Sequence, residues 1–122
     1  VVSAREHTLT LNIQKGAGEA GLNAVETLLA ALGVCMLTNI NSLAEKMRLR
    51  VNGTHVDFTS ERRDEPAELV RIDYCLTLDS PEPRKKLEEL HRLALKWGTV
   101  TRTVTQGLEP KGELVIRRSD DD

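Results

Sequence analysis

Aromatic side chains are nearly missing from this sequence: Phe58, Tyr74 and Trp97 are the only three among 122 residues. Base-stacking platforms need more than that, and a formal net charge of −2 lacks the basic footprint on which nucleic-acid binding depends. Cysteine is scarce as well, with Cys35 and Cys75 alone, so no disulfide framework holds the chain together. In a reducing compartment each would be a buried apolar filler or a reactive thiol. His7, His55 and His91 stand far apart, without a second ligand at helical spacing, so neither a metal nor another cofactor is expected. The longest uninterrupted apolar run, Leu28 to Leu37, is about half of the ~20 residues needed to span a bilayer, and there is no charged-then-apolar amino-terminal signal. These absences point to a cytoplasmic protein with no membrane segment.

What is present reads as one domain over residues 1–122, ending in a solvated tail at 117–122. The stretch HTLTLNIQ, residues 7–14, alternates Leu9, Leu11 and Ile13 with polar neighbours, the period of a half-buried strand. Gly16, Gly18 and Gly21 then spell a literal GxGxxG. A dinucleotide site would need a second strand ending in an acidic residue ~20 positions on, which falls near Glu45, inside what reads as a helix. The glycines therefore read as a flexible turn. Asn23 followed by Glu26 is a capping box that starts a helix near Ala24, continuing to about Leu49. Its first half has no polar face and is expected to be buried all round.

Asn52-Gly53 signals a turn before a strand with Val56 and Phe58 facing inward. In ELVRIDYCLTLDS, Val70, Ile72, Tyr74, Leu76 and Leu78 share one face and Cys75 lies on the other. A second helix follows, with Ser80 as its cap, Pro81 at the first position, and an inner face of Leu87, Leu90, Ala94 and Trp97, stopped by Gly98. His91 falls at the edge of that face. Glu82, Lys86 and Glu89, with Arg84, Glu88 and Arg92, should lace its outer face with weak i+4 pairs. A short helix or turn is expected over 99–106, and GELVIRR reads as a last strand.

The segment GLNAVETLLAALGVC, residues 21–35, resembles the signature of the OsmC/Ohr family, the osmotically inducible and organic hydroperoxide resistance proteins. There a loop of the type G-x-N-P-E-E-L-L-A-A leads into a central helix bearing a reactive cysteine. Gly21, Asn23, Leu28, Ala30, Ala31 and Cys35 stand at matching places, and KWGTVTRTV resembles the family's second motif, C-P-V-x-R-T-L, through Val100, Arg102 and Thr103. The resemblance implies an α+β fold and an intertwined homodimer, with two long central helices buried and wrapped by antiparallel sheets from both chains. It also implies active sites at the interface, where the family acts on organic hydroperoxides. An intertwined dimer would cover a helix that is apolar on every side, which a chain of this length alone would struggle to do.

The family's chemistry needs a thiolate to attack the peroxide, charged partners to lower its pKa, and a second cysteine to resolve the sulfenic acid. Cys35 matches the attacking position and is the candidate nucleophile. Val25 stands where the family carries a conserved glutamate, and Gly98 stands where it carries the resolving cysteine. The activating arginine belongs to an amino-terminal hairpin expected here to be short or absent, so that role is not carried over to Arg5. Glu26 and Arg102 are the remaining charged candidates, although Glu26 is accounted for as a cap and Arg102 as a solvated or carbonyl-capping side chain. Cys75 would resolve only with its Cα within about 7 Å of that of Cys35, and the strand's alternation argues against this. Burial in an apolar helix is expected to raise the Cys35 pKa. Two functions remain open: a thiol-dependent hydroperoxide reductase working through Cys35 with an external reductant, and a non-catalytic dimer binding a small apolar ligand at its interface.

Overall fold

The computed structural model describes residues 2–13 and 21–107. Among these residues the chain is α+β, with two antiparallel hairpins and three helices. β1 (Val2–Ala4) pairs with β2 (His7–Leu9) across a turn at Arg5 and Glu6, where Arg5 takes a left-handed φ of 55°. The strand expected over 7–14 is therefore shorter, and its partner is a segment that alternation alone did not single out. Ile13 is 90% exposed, and Gln14, Gly16, Gly18 and the rest of 14–20 lie outside the described residues. Asn12 N–H donates to the Leu22 carbonyl at 3.1 Å, bringing the two sides of that loop together. Gly21 is required there, since its φ is 139° and a Cβ would lie 3.0 Å from the Thr10 carbonyl oxygen.

α1 (Ala24–Lys46) begins as expected, with the Asn23/Glu26 capping box formed. It stops earlier than Leu49. Arg48 adopts φ 56°, Leu49 N–H reaches the Ala44 carbonyl at 2.8 Å and Arg48 N–H the Glu45 carbonyl at 3.1 Å, the paired bonds of a Schellman motif. No glycine marks this end, so the sequence carried no stop signal. Leu32, Met36, Ile40 and Ala44, four apart, form one buried stripe. The helix is not buried all round within one chain: Leu28 and Val34 are open, Val34 to 67%, because the hairpin and the other helices pack on one side of it. By length and composition α1 is apolar enough to cross a membrane, a property that core helices share.

β3 (Gly53–Asp64) and β4 (Ala67–Asp79) form the main hairpin, with Val56 opposite Leu76 and Phe58 opposite Tyr74. These residues line the face toward α1, where Gly33 makes room: a Cβ on it would lie 3.2 Å from the Phe58 ring. Arg71 pairs with Glu61 but Leu69 pairs with Arg62, so Val70 is an extra residue in the ladder. This bulge breaks the expected alternation and leaves Val70 49% exposed.

α2 (Arg84–Lys96) starts three residues later than Pro81 would place it. Pro83 disfavours helical geometry at Glu82, so the helix cannot begin before it. Ser80 closes the preceding turn instead, its hydroxyl donating to the Arg50 carbonyl at 2.5 Å and accepting from Glu82 N–H at 3.1 Å. Leu90 and Ala94 complete the core with Ile40 and Ala44. Trp97 is not on that inner face. It sits at the C-cap beyond the last helical residue, 57% exposed, with Lys96 Nζ 5.1 Å from its ring. α3 (Thr99–Gln106) follows directly, with Gly98 as its N-cap. The expected strand GELVIRR and the tail at 117–122 lie outside the described residues.

Candidate functional site: a thiol at the start of a helix

Cys35 lies at the middle of α1, at the border between the buried stripe and the open side, and is partly accessible. One turn on, the Asn39 amide donates to the Cys35 carbonyl at 2.9 Å and approaches Sγ at 3.7 Å. From across the helix packing, the Thr101 hydroxyl donates to Sγ at 3.8 Å. The core pair Leu90 and Ala94 fixes α2 against α1, and the tight turn at Gly98 then aims the first turn of α3 at the sulfur.

Burial is the largest single influence on the Cys35 thiol and pushes its pKa up. The Thr101 backbone N–H, the Thr101 hydroxyl, the Val100 N–H and the Asn39 amide together outweigh it, so the pKa lies below the ordinary thiol value. This corrects the expectation from burial alone. The physical reason is that unsatisfied N–H groups at a helix start favour a negative charge in front of them. Among the described residues every group acting on the sulfur is neutral, and this is not the charged activation that the resemblance implied.

The other sequence candidates are not brought to Cys35. Glu26 is nine residues upstream on the same helix, ~13 Å along the axis at ~1.5 Å per residue. Its carboxylate accepts from Asn23 N–H at 2.9 Å, as a capping residue should. Arg102 is exposed on α3, and no ion pair engages it among the described residues. Cys75 is exposed opposite Asp57, on the face of the hairpin turned away from α1. Asn39 and Thr101 were missed and Val100 was read only as a motif match, although an asparagine one turn after a cysteine in an apolar helix was a readable signal. Position 98 faces the sulfur, since a Cβ there would lie 3.0 Å from Cys35 Sγ. Among the described residues, no three His, Cys, Asp or Glu side chains stand together as a metal site. A separate open groove of 410 Å³ between β4 and α2 has Leu76, Leu78 and Leu87 in its lining and does not include Cys35.

A family profile described as OsmC, OsmC-like protein, matches residues 16–111. No curated protein matches the chain. Among solved structures, an OsmC-like protein from Mycoplasma pneumoniae superposes with a TM-score of 0.66 at 21% identity, covering 70% of this chain and 63% of that one. This chain thus spans less than two thirds of that relative's length. A hypothetical protein from Aquifex aeolicus gives 0.66 at 26% identity, with coverages of 73% and 69%. An OsmC-like hydroperoxide resistance protein from Jannaschia sp. CCS1 gives 0.63 at 18% identity, with coverages of 84% and 73%.

Proposed function

The chain belongs to the OsmC-like protein family, and on that premise we propose that it is a homodimeric, one-cysteine reductase of organic hydroperoxides. The observation that carries this reading is the placement of Cys35 Sγ before the first turn of α3, with its pKa held below the ordinary thiol value. The Cys35 thiolate attacks the terminal peroxide oxygen. An S–O bond forms, the O–O bond breaks, and the departing alkoxide takes a proton, leaving Cys35 sulfenic acid and an alcohol. Gly98 offers no second sulfur and Cys75 is on the far face of the hairpin, so an external thiol completes the cycle. It condenses with the sulfenic acid to a mixed disulfide and water, and a second thiol displaces it as a disulfide and restores Cys35.

The open apolar side of α1, with Leu28 and Val34, supports a second copy as its cover. Sedimentation at micromolar concentration should give a dimer, and a monomer would remove that part of the reading. The second function, a non-catalytic dimer holding a small apolar ligand, is favoured by the neutrality of every group that acts on Cys35 among the described residues. Stopped-flow mixing with cumene hydroperoxide separates the two. The reductase consumes about one equivalent per chain in the absence of thiol, and Cys35→Ser consumes none above background. Equal consumption by both proteins would leave only the binding function.

A further inference from the structure

Gly98 is buried at the junction of α2 and α3, and its backbone, at φ −76° and ψ 122°, is one that any residue can adopt. Conformation does not require glycine here, but a side chain would press on its neighbours, which would have to give by a few tenths of an ångström. A Cβ at 98 would lie 3.0 Å from Cys35 Sγ, 3.1 Å from Thr101 Oγ1 and 3.3 Å from the Ala94 carbonyl oxygen. It would stand beside the Thr101–Cys35 contact, close to both of its atoms, with the Ala94 carbonyl oxygen of α2 on another side. Gly53 provides the contrast, because a Cβ there would meet only the Asp79 Cβ, at an ordinary 3.7 Å.

We propose that Gly98 is the positioning residue for Cys35: by having no side chain it lets the first turn of α3 close onto the sulfur, and any unbonded Cβ at 98 holds the donors of Val100 and Thr101 away. The inference rests on the reading of Cys35 as the nucleophile. Geometry allows one exception. In a disulfide with an S–S bond of about 2.04 Å, each Cβ lies about 3.0 Å from the far sulfur. A bonded cysteine at 98 would therefore be comfortable where other residues are crowded, so the position suits either a hydrogen or a sulfur.

Charged groups on the surrounding elements do not confuse a pH measurement. Glu45 and Lys46 lie near the far end of α1 and Glu26 near its start, His91 of α2 is hydrogen-bonded to the Tyr74 hydroxyl of β4 at 2.6 Å, Lys96 and Arg102 are exposed on α2 and α3, and His55 and Asp57 are exposed and paired with each other on the outer face of β3. None of them is among the groups acting on Cys35.

The test is the pH profile of iodoacetamide alkylation at Cys35, measured in the Cys75→Ser background for glycine at 98, for Gly98→Ala, and for Gly53→Ala as control. Gly98→Ala should raise the midpoint and slow alkylation at pH 7 several-fold while far-ultraviolet circular dichroism stays unchanged; Gly53→Ala should leave the profile in place. An unmoved midpoint in folded Gly98→Ala overturns the proposal. If that variant does not fold, Gly98→Ala combined with Cys35→Ala decides: removing the sulfur that the Cβ meets should restore the far-ultraviolet circular dichroism, and a double variant as unfolded as Gly98→Ala overturns the proposal. No hydroperoxide enters either measurement, so failure of the reductase reading would appear separately, in the stopped-flow experiment.

Discussion

Cys35 and Cys75 are the same functional group placed in two different fields. Cys75 is the more exposed, on the outer face of a hairpin, where the ladder already uses its backbone and its cross-strand neighbour is Asp57. Cys35 is half hidden in an apolar helix, yet it faces the unused N–H groups of a helix start and two neutral side-chain donors. Accessibility alone would choose Cys75 as the reactive thiol. The difference teaches that what faces the sulfur, rather than how much solvent reaches it, selects the thiolate.

The most severe break of this contrast is removal of each sulfur in turn. Cys35→Ser should abolish hydroperoxide consumption and Cys75→Ser should leave it at the wild-type level, read by stopped-flow absorbance; loss in both would erase the distinction. Next, Leu90→Ala should destabilise the fold by about 2–5 kcal/mol in urea titration, because Leu90 is fully buried between α2 and α1. Loosening that packing frees α3 from Cys35, and its alkylation profile should drift toward that of the unfolded chain.

A smaller effect, about 1 kcal/mol, is expected for Asn23→Ala, which removes the cap of α1. It should lower the thermal midpoint and leave the Cys35 alkylation profile unmoved, because the capping pair is remote from the sulfur. A parallel shift of the profile would make Glu26 part of the site after all. The smallest change is Thr101→Val. Deleting one long hydrogen bond to sulfur should slow Cys35 alkylation at neutral pH about twofold, on the order of 0.5 kcal/mol. The linkage sign is definite. The folded thiol is held below its unfolded value, so stability relative to Cys35→Ser rises with pH between the two pKa values and is lost as pH falls through the folded one. Thr101→Val should narrow that window.

Much of the fold was legible because local chemistry and tertiary structure agree. The Asn23/Glu26 box, the Val56/Phe58 face and the helix over 99–106 are each set by neighbours close in sequence. The failures occur where a distant or unsignalled choice decided. Val70 faces out because a bulge against Arg62 shifts the ladder, and no residue type announces that. α1 stops on an arginine in a left-handed conformation, and Trp97 leaves the core because its helix ends one residue earlier. At the site, Cys35 was legible by resemblance. The direction of its pKa was not, since that depends on backbone N–H groups that carry no sequence label.

The Val70 bulge also gives the main hairpin unequal mechanics. On one side of it the strands lie over α1 and share the core; on the other, from Glu61 to Glu68, every residue of the single chain is exposed. That outer part rises ~3.3 Å per residue and, among the described residues, is held by little beyond its own ladder and an Arg63–Glu68 ion pair. Such a cantilever, rooted beneath Phe58 and Tyr74 beside the helix that carries the thiol, is expected to open first at its tip, where the fewest contacts oppose it, with the root exchanging its amide hydrogens last.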